Sequence, residues 1–438
     1  MNIQNYLLKS KCLVAGVLFS GAALANGSNP PAKFIKEGVW RGVFTVSESQ
    51  VPFNFELKGK DPEHAVFTLL NGSRRDDFHV KRIGADSIYV KMNTYDAALV
   101  AKIEDDGNLS GEYKSLVPNF SGNALPFTAQ YGKKYRFVEP GKDVAPKANL
   151  SGKWEIKTYS KEPVPASIAL LKQDGNKLTG VVMTVVGDTR EIEGTVQGDE
   201  FALSGFTGPS PFIIKGKINE DGTLTGEEGF GIYKNLKFDA AKNEKAELPD
   251  PYKITFLKDG YKKLDFNFPS ITDGKNISLS DEKYKGKVVI IEIIGTWCPN
   301  CTDQTVFLSP WFNKNKNRGV EAIAIGFEQK DSLKYAQYTL GKLKEKYNIN
   351  YDIAFGGLAD KKLVSQKLPA LNKFIAFPTT IIIDRKGDVR EIYTGYTGTV
   401  TGKYHEDYEA KFNKVLDELI AEPAPATAAI NPEKAENK

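Results

Sequence analysis

Two cysteines three positions apart, Cys298 and Cys301, are where this sequence can do chemistry. They close the stretch Val288-Val-Ile-Ile-Glu-Ile-Ile-Gly-Thr-Trp-Cys-Pro-Asn-Cys301. Val288 to Ile294 is apolar and β-branched, broken only by Glu292, and predicts a buried strand. Gly295 to Trp297 turns the chain, and Pro299 suits the first turn of a helix, where its missing N–H is of no consequence. Cys298 is therefore expected at a helix N-terminus, where unpaired N–H groups and the helix dipole favour negative charge. The thiolate is the nucleophilic form of cysteine. Cys301, one turn further on, can close a disulfide back onto Cys298, so the pair can cycle between dithiol and disulfide. A zinc site would need further ligands, yet the only other cysteine is Cys12, and His64, His79 and His405 lie far off in sequence. A structural disulfide closing so short a loop would constrain little of the unfolded chain. Redox chemistry is the reading these residues support, with no metal and no cofactor.

The motif Gly295-Thr-Trp-Cys-Pro-Asn-Cys301 after an apolar strand resembles the thioredoxin superfamily, and within it the periplasmic TlpA/ResA-like thiol-disulfide oxidoreductases. Two further stretches carry the likeness, Phe377-Pro-Thr-Thr380 before a second apolar strand and Phe268-Pro-Ser-Ile-Thr-Asp-Gly-Lys275 leading in. The resemblance covers roughly residues 252–420. It implies that Pro378 is the cis-proline facing the cysteine pair, with the backbone of Phe377 presented as an edge for an extended substrate. Trp297 should wall the nucleophile with its ring. Glu292 lies six residues before Cys298, where thioredoxin has an aspartate and TlpA/ResA-like proteins often have a neutral residue. A buried carboxylate there would hold its proton more tightly than usual and could relieve Cys301 of its own.

Elements that must position these residues follow from pattern. The C-terminal part alternates strands and helices, which implies a largely parallel central sheet. A short opening hairpin is expected across Thr272-Asp-Gly-Lys275. Val288–Ile294 is the expected central strand, Pro299 to about Asn315 the active-site helix and Val320–Phe327 the next strand. Ser332–Tyr347 has apolar residues at helical spacing. Tyr351 to Leu371 reads as an insertion with a short helix. Thr379–Asp384 and Asp388–Thr394 read as a second hairpin, and Tyr404–Ile420 as a closing helix. Glu328, at the end of its strand, reads as a surface charge.

Upstream, residues 38–138 and 150–241 read as two copies of one β-rich unit. Trp154 stands 114 positions after Trp40, and the Asp-Gly turn at Asp221 stands 115 after that at Asp106. Asp-Gly between β-type segments is a hairpin signal, so each copy is expected to be a small antiparallel barrel or sandwich. Nothing in either copy looks catalytic, and His64 and His79 read as surface residues. The expected organisation is multidomain: a leader at 1–25, β-rich repeats at 34–140 and 149–241, an α/β thioredoxin-like domain at 252–421, and a disordered tail at 422–438.

Residues 1–25 have a basic start at Lys9 and Lys11, an apolar run from Cys12 to Leu24, and an Ala23-Leu-Ala25 cleavage pattern. Export to the periplasm with cleavage after Ala25 is therefore expected. A formal net charge of +4 is too small to argue for a nucleic-acid partner, and no basic stripe with interleaved aromatics is present. The expected partners are proteins bearing disulfides or thiols, with a membrane thiol transporter as electron donor by resemblance. Asn300 brings no positive charge to the thiolate, which favours a reductant over an oxidant. Two alternatives stay open at this point. One is a peroxiredoxin-like peroxidase, although the Pro-x-x-x-Thr/Ser-x-x-Cys pattern is absent. The other is a redox-sensing binding protein that uses the β domains.

Overall fold

The computed structural model describes residues 33–46, 49–92, 95–115, 124–231 and 235–424. The expected leader, with Cys12 in it, and the chain beyond residue 424 lie outside the described residues. No helix among the described residues is long and apolar enough to cross a membrane.

Both β-rich copies are eight-stranded antiparallel barrels. The first runs from Gly38–Val46 to Leu125–Tyr131 and closes by pairing these two strands, Trp40 opposite Tyr131. The second runs from Gly152–Tyr159 to Leu236–Lys242 and closes in the same way, Tyr159 opposite Lys237. A short extra strand, Gly187–Asp188, folds back onto its Lys177–Thr184 strand. Closure leaves no free sheet edge, and alternate side chains fill each interior.

The two copies repeat local devices as well as topology. The indole N–H of Trp40 donates to the Lys36 carbonyl (3.1 Å), and that of Trp154 to the Leu150 carbonyl (2.8 Å). Asp106 and Asp221 each accept the backbone N–H two residues on. The following glycines, Gly107 and Gly222, sit at φ 78° and 82°, a region that glycine enters without steric penalty. Such matched detail at matched offsets is the signature of a duplicated unit. The barrels are joined by more than their linker: Phe206 of the second is buried among Phe44, Phe53 and Tyr113 of the first.

The C-terminal domain is built on a five-stranded sheet of order β3-β2-β1-β4-β5, with β1 Val288–Ile294, β2 Val320–Glu328, β3 Asp352–Leu358, β4 Thr379–Ile383 and β5 Val389–Thr394. β1, β2 and β3 run parallel, while β4 and β5 are antiparallel additions. Every residue of β1 is buried, as expected of a central strand covered on both faces. Four helices cover the sheet: α1 Pro299–Asn315, α2 Leu333–Lys346, α3 Lys361–Lys367 and α4 Lys403–Ala421. The apolar core, from Leu264 to Leu419, contains no barrel residue. The opening hairpin is present but short, pairing Phe268–Pro269 with Asn276–Ile277.

One expectation is corrected here. Tyr351–Leu371 is not an insertion: it supplies β3, an edge strand of the sheet, and then α3. Gly356 and Gly357 in β3 disguise the strand, because glycine weakens a strand pattern. Gly356 is required by packing, since a Cβ there would fall 2.4 Å from the Phe327 ring.

Candidate active site

β1 ends in the turn that carries the cysteines, and α1 begins on Cys298, which is its N-cap residue with Pro299 as the first helical residue. The Cys301 N–H points at Cys298 Sγ (3.3 Å), and Cys298 Sγ lies 3.3 Å from the Phe377 carbonyl, to which the thiol donates. The Phe377–Pro378 peptide is cis, so the expected geometry opposite the cysteines is present. Trp297 stacks edge-on against Phe377 (5.1 Å between centroids) and anchors its indole N–H on the Phe327 carbonyl (3.0 Å). Both cysteines are free thiols. Cys298 is 7% exposed and Cys301 1%. The Cys298 sulfur is thus enclosed, with Phe377, Trp297 and the helix start around it.

Glu292 is fully buried, and its charge acts on Cys301. Tyr351 Oη donates to its Oε1 (2.5 Å), whereas Oε2 has no hydrogen-bond partner. Loss of solvation pushes the Glu292 carboxyl up to about 7, and the Tyr351 bond only partly offsets this. Burial pushes the Cys301 thiol well up from its ordinary range. The neighbouring Cys298 and the Glu292 charge add to that rise. A carboxylate poised near neutrality therefore sits by a thiol that resists ionisation, and one of its oxygens is open to a proton.

A second buried carboxyl was not foreseen. Glu328 is not a surface charge: it is fully buried, and Thr296, two residues before Cys298, donates to it through N–H (3.0 Å to Oε1) and through Oγ1 (2.7 Å to Oε2). Burial raises its carboxyl to about 7 against those bonds. The strand pattern of Val320–Phe327 gave no hint, because the partner lies 32 residues away.

The barrels also reach this site, although nothing in their sequence looked catalytic. Asp303, on the first turns of α1, receives both arms of Arg190 from the second barrel (2.7 and 2.9 Å) and Arg74 from the first (3.1 Å). Arg190 also donates to the Pro299 carbonyl (2.7 Å), between the two cysteines. Its backbone sits in the left-handed region, φ 60°, with its N–H held on Asp188 Oδ1 (2.7 Å). A non-glycine residue held there marks a site that the surroundings over-determine. Asp188 Oδ2 accepts the N–H of Gly398 (2.7 Å). The same turn packs Gly187 against Asn300, where a Cβ would fall 1.9 Å from the side-chain nitrogen. The guanidinium groups at the motif thus come from other domains and are paired with carboxylates, while Asn300 itself brings no charge. His64 and His79 are exposed, as expected.

Residues 258–411 match the Redoxin family. Thiol-disulfide oxidoreductase ResA of Bacillus anthracis is 26% identical over 172 residues, covering 39% of this chain and 82% of the relative. ResA of Bacillus subtilis (strain 168) is 28% identical over 137 residues, covering 31% and 66%. A crystal structure of a thiol:disulfide interchange protein from Chlorobium tepidum TLS aligns at 18% identity and a TM-score of 0.28, over 37% of this chain and 99% of that one. Through its C-terminal domain, this chain is a TlpA/ResA-like member of the thioredoxin superfamily and a thiol-disulfide oxidoreductase.

Proposed function

We propose that the protein is exported and reduces disulfides of other exported proteins through a Cys298/Cys301 cycle. Cys298, as thiolate, attacks one sulfur of the substrate disulfide. That S–S bond breaks, the other substrate sulfur leaves as thiolate, and a mixed disulfide forms on Cys298. Cys301 then gives its proton to Glu292 and attacks Cys298 Sγ. The second substrate thiol departs and the enzyme disulfide remains. Two electrons have passed to the substrate. Phe377 and Pro378 offer backbone edge to an extended substrate, and Trp297 walls the reacting sulfur.

The observation that carries this reading is the convergence on Cys298 Sγ of the Cys301 N–H and the Phe377 carbonyl, above a buried carboxylate with a free oxygen. The reducing direction is supported by charge: Arg190 and Arg74 face Asp303 and Asp76, so no net positive charge remains at the helix start to hold a thiolate. The leader-like sequence at 1–25 supports export, and the resemblance supports a membrane thiol transporter as the electron donor. A Cys301→Ala variant tests the assignment, because it stops the cycle at the mixed disulfide. Exported proteins linked to Cys298, released by reductant, are the expected result. No linked protein with the wild-type leader in place would refute it.

A further inference from the structure

We propose that the cavity enclosed by the two barrels and the redox turn is a docking site for the uncharged, apolar residues that flank the reacting disulfide in an extended polypeptide substrate. This rests on the oxidoreductase reading above and adds the class of substrate.

The cavity has a volume of about 690 Å³, within the roughly 300–1,000 Å³ typical of ligand sites. One wall is Trp297, Pro299 and Asn300, the residues on either side of Cys298. The second barrel contributes Val164, Phe212 and Phe230, and the first contributes Tyr113 and Leu125. Phe230 and Val164 are 49% and 40% exposed, so large apolar side chains are left uncovered beside the redox turn. Uncovered apolar surface of this kind marks sites of interaction.

Charge narrows the ligand. Among the described residues, the charged ones in the walls are Asp188, Arg190 and Glu228. Asp188 accepts from Gly398 and Arg190 N–H groups, and Arg190 is held by Asp303. Glu228 accepts from Thr158 Oγ1 (2.8 Å), and burial raises its carboxyl from the usual range. An anionic ligand would lose its hydration without gaining a partner, because Arg190 is already held by Asp303.

Position narrows it further. Cys298 is not part of the cavity wall; its sulfur faces the Phe377 carbonyl, with the Trp297 ring packed on Phe377. A molecule that fills the cavity and also reacts must continue past Trp297 to the sulfur. A compact disulfide does not span both places, whereas an extended chain does. The barrels then supply selectivity that the redox domain lacks.

The test uses the reduced full chain and three peptides of equal length. Each carries one cysteine in a mixed disulfide with the same aromatic thiol, flanked by Val and Leu, by Ser and Gly, or by Glu. Each reaction turns the Cys298/Cys301 dithiol into a disulfide and releases the peptide thiol and the aromatic thiol, whose absorbance is followed. The apolar peptide should react at least tenfold faster than the acidic one, since burying one such side chain is worth roughly that factor or more. Phe230→Lys and Val164→Lys, both at solvent-accessible positions, should each move the ratio towards the acidic peptide by about tenfold. Equal rate constants for the three peptides, or an unchanged ratio in both variants, would overturn the proposal. The symmetrical aromatic disulfide without any peptide separates the two readings. If it too fails to oxidise the wild-type pair, the redox assignment falls rather than the docking site.

Discussion

Replacing Glu292 by glutamine should slow resolution of the mixed disulfide far more than its formation. The substitution keeps the shape and keeps an oxygen to accept the Tyr351 hydroxyl, now 2.5 Å from Oε1, but removes the acceptor at Oε2, which has no partner. Formation uses Cys298, on which the Cys301 N–H converges. Resolution needs Cys301, whose thiol burial holds well above its ordinary range. General-base help of this kind is typically worth about 10²–10⁴-fold, so the second step should slow within that range at pH 7 and recover as pH rises. The same residue makes a stability prediction with a definite sign. The carboxyl titrates near 4.5 when exposed and near 7 when folded. Between those values the folded state keeps a proton that the unfolded state has lost, so this group's contribution falls as pH rises from about 4.5 and is fully lost above about 7. The gap is worth about 3 kcal/mol. An unpaired amide N–H in the variant costs about 1 kcal/mol. Glu292→Gln should therefore be more stable than wild type by about 2 kcal/mol at pH 8 and slightly less stable at pH 5. A symmetrical aromatic disulfide in stopped flow reads both chemical steps, since attack releases the first aromatic thiolate and resolution the second. A second phase unchanged from pH 6 to 9 in the folded variant would refute the proton role, whatever the urea titrations showed.

Alkylation of the reduced protein should label Cys298 before Cys301, because Cys301 is the more buried and the harder to ionise; peptide mapping that finds Cys301 labelled first reverses the assignment. Arg190→Met and Asp303→Asn should be strongly coupled in a double-mutant cycle of urea unfolding. The pair is bidentate and buried, with side-chain exposures of 3% and 13%, so a coupling of about 2 kcal/mol is expected; a value near zero would mean that the ion pair does not join the domains. Glu328→Gln should flatten the loss of stability between pH 4.5 and 7, as Glu292→Gln does, because its folded carboxyl also lies near 7. It should leave the ratio of the two kinetic phases unchanged across pH, and a selective loss of the second phase would assign the proton to Glu328 instead.

What could be read from sequence was local. A β-branched run, a turn and Cys-Pro-x-Cys fix the strand, the helix start and the thiols within fourteen residues, and the barrels show themselves by Trp and Asp-Gly devices that recur at equal spacing. What could not be read depends on chain segments far apart. Glu328 ends a strand in the position of a surface residue, and its partner Thr296 reaches it from the turn before the cysteines, 32 residues away in sequence. The Asp352–Leu358 strand hides behind two glycines, one of which makes room for the Phe327 ring. Its neighbour Tyr351, the partner of Glu292, was hidden with it. Arg190 lies in a polar run, Gly187-Asp-Thr-Arg-Glu191, like many others in the chain. Its partner Asp303 is 113 residues later, in a different domain. No periodicity reports a contact of that kind.

The two buried carboxyls share a titration range near 7 but not an environment, and the difference decides what each can do. Both oxygens of Glu328 are engaged by Thr296, so it ties the turn before the cysteines to the neighbouring strand. Glu292 receives one bond and keeps one oxygen free. If its purpose were only to receive the Tyr351 hydroxyl, a glutamine would serve and would spare the fold about 3 kcal/mol of desolvation above pH 7. A carboxyl that lowers stability in the pH range where it works, that keeps one oxygen unpartnered, and whose charge acts on the thiol that must lose a proton, is better explained by that proton than by packing. The barrels act on the same turn. Arg190 holds the Pro299 carbonyl and Asp303, which fixes the helix start from another domain. The proton relay needs only the C-terminal domain, whereas the position of the helix that carries both sulfurs is set jointly by all three.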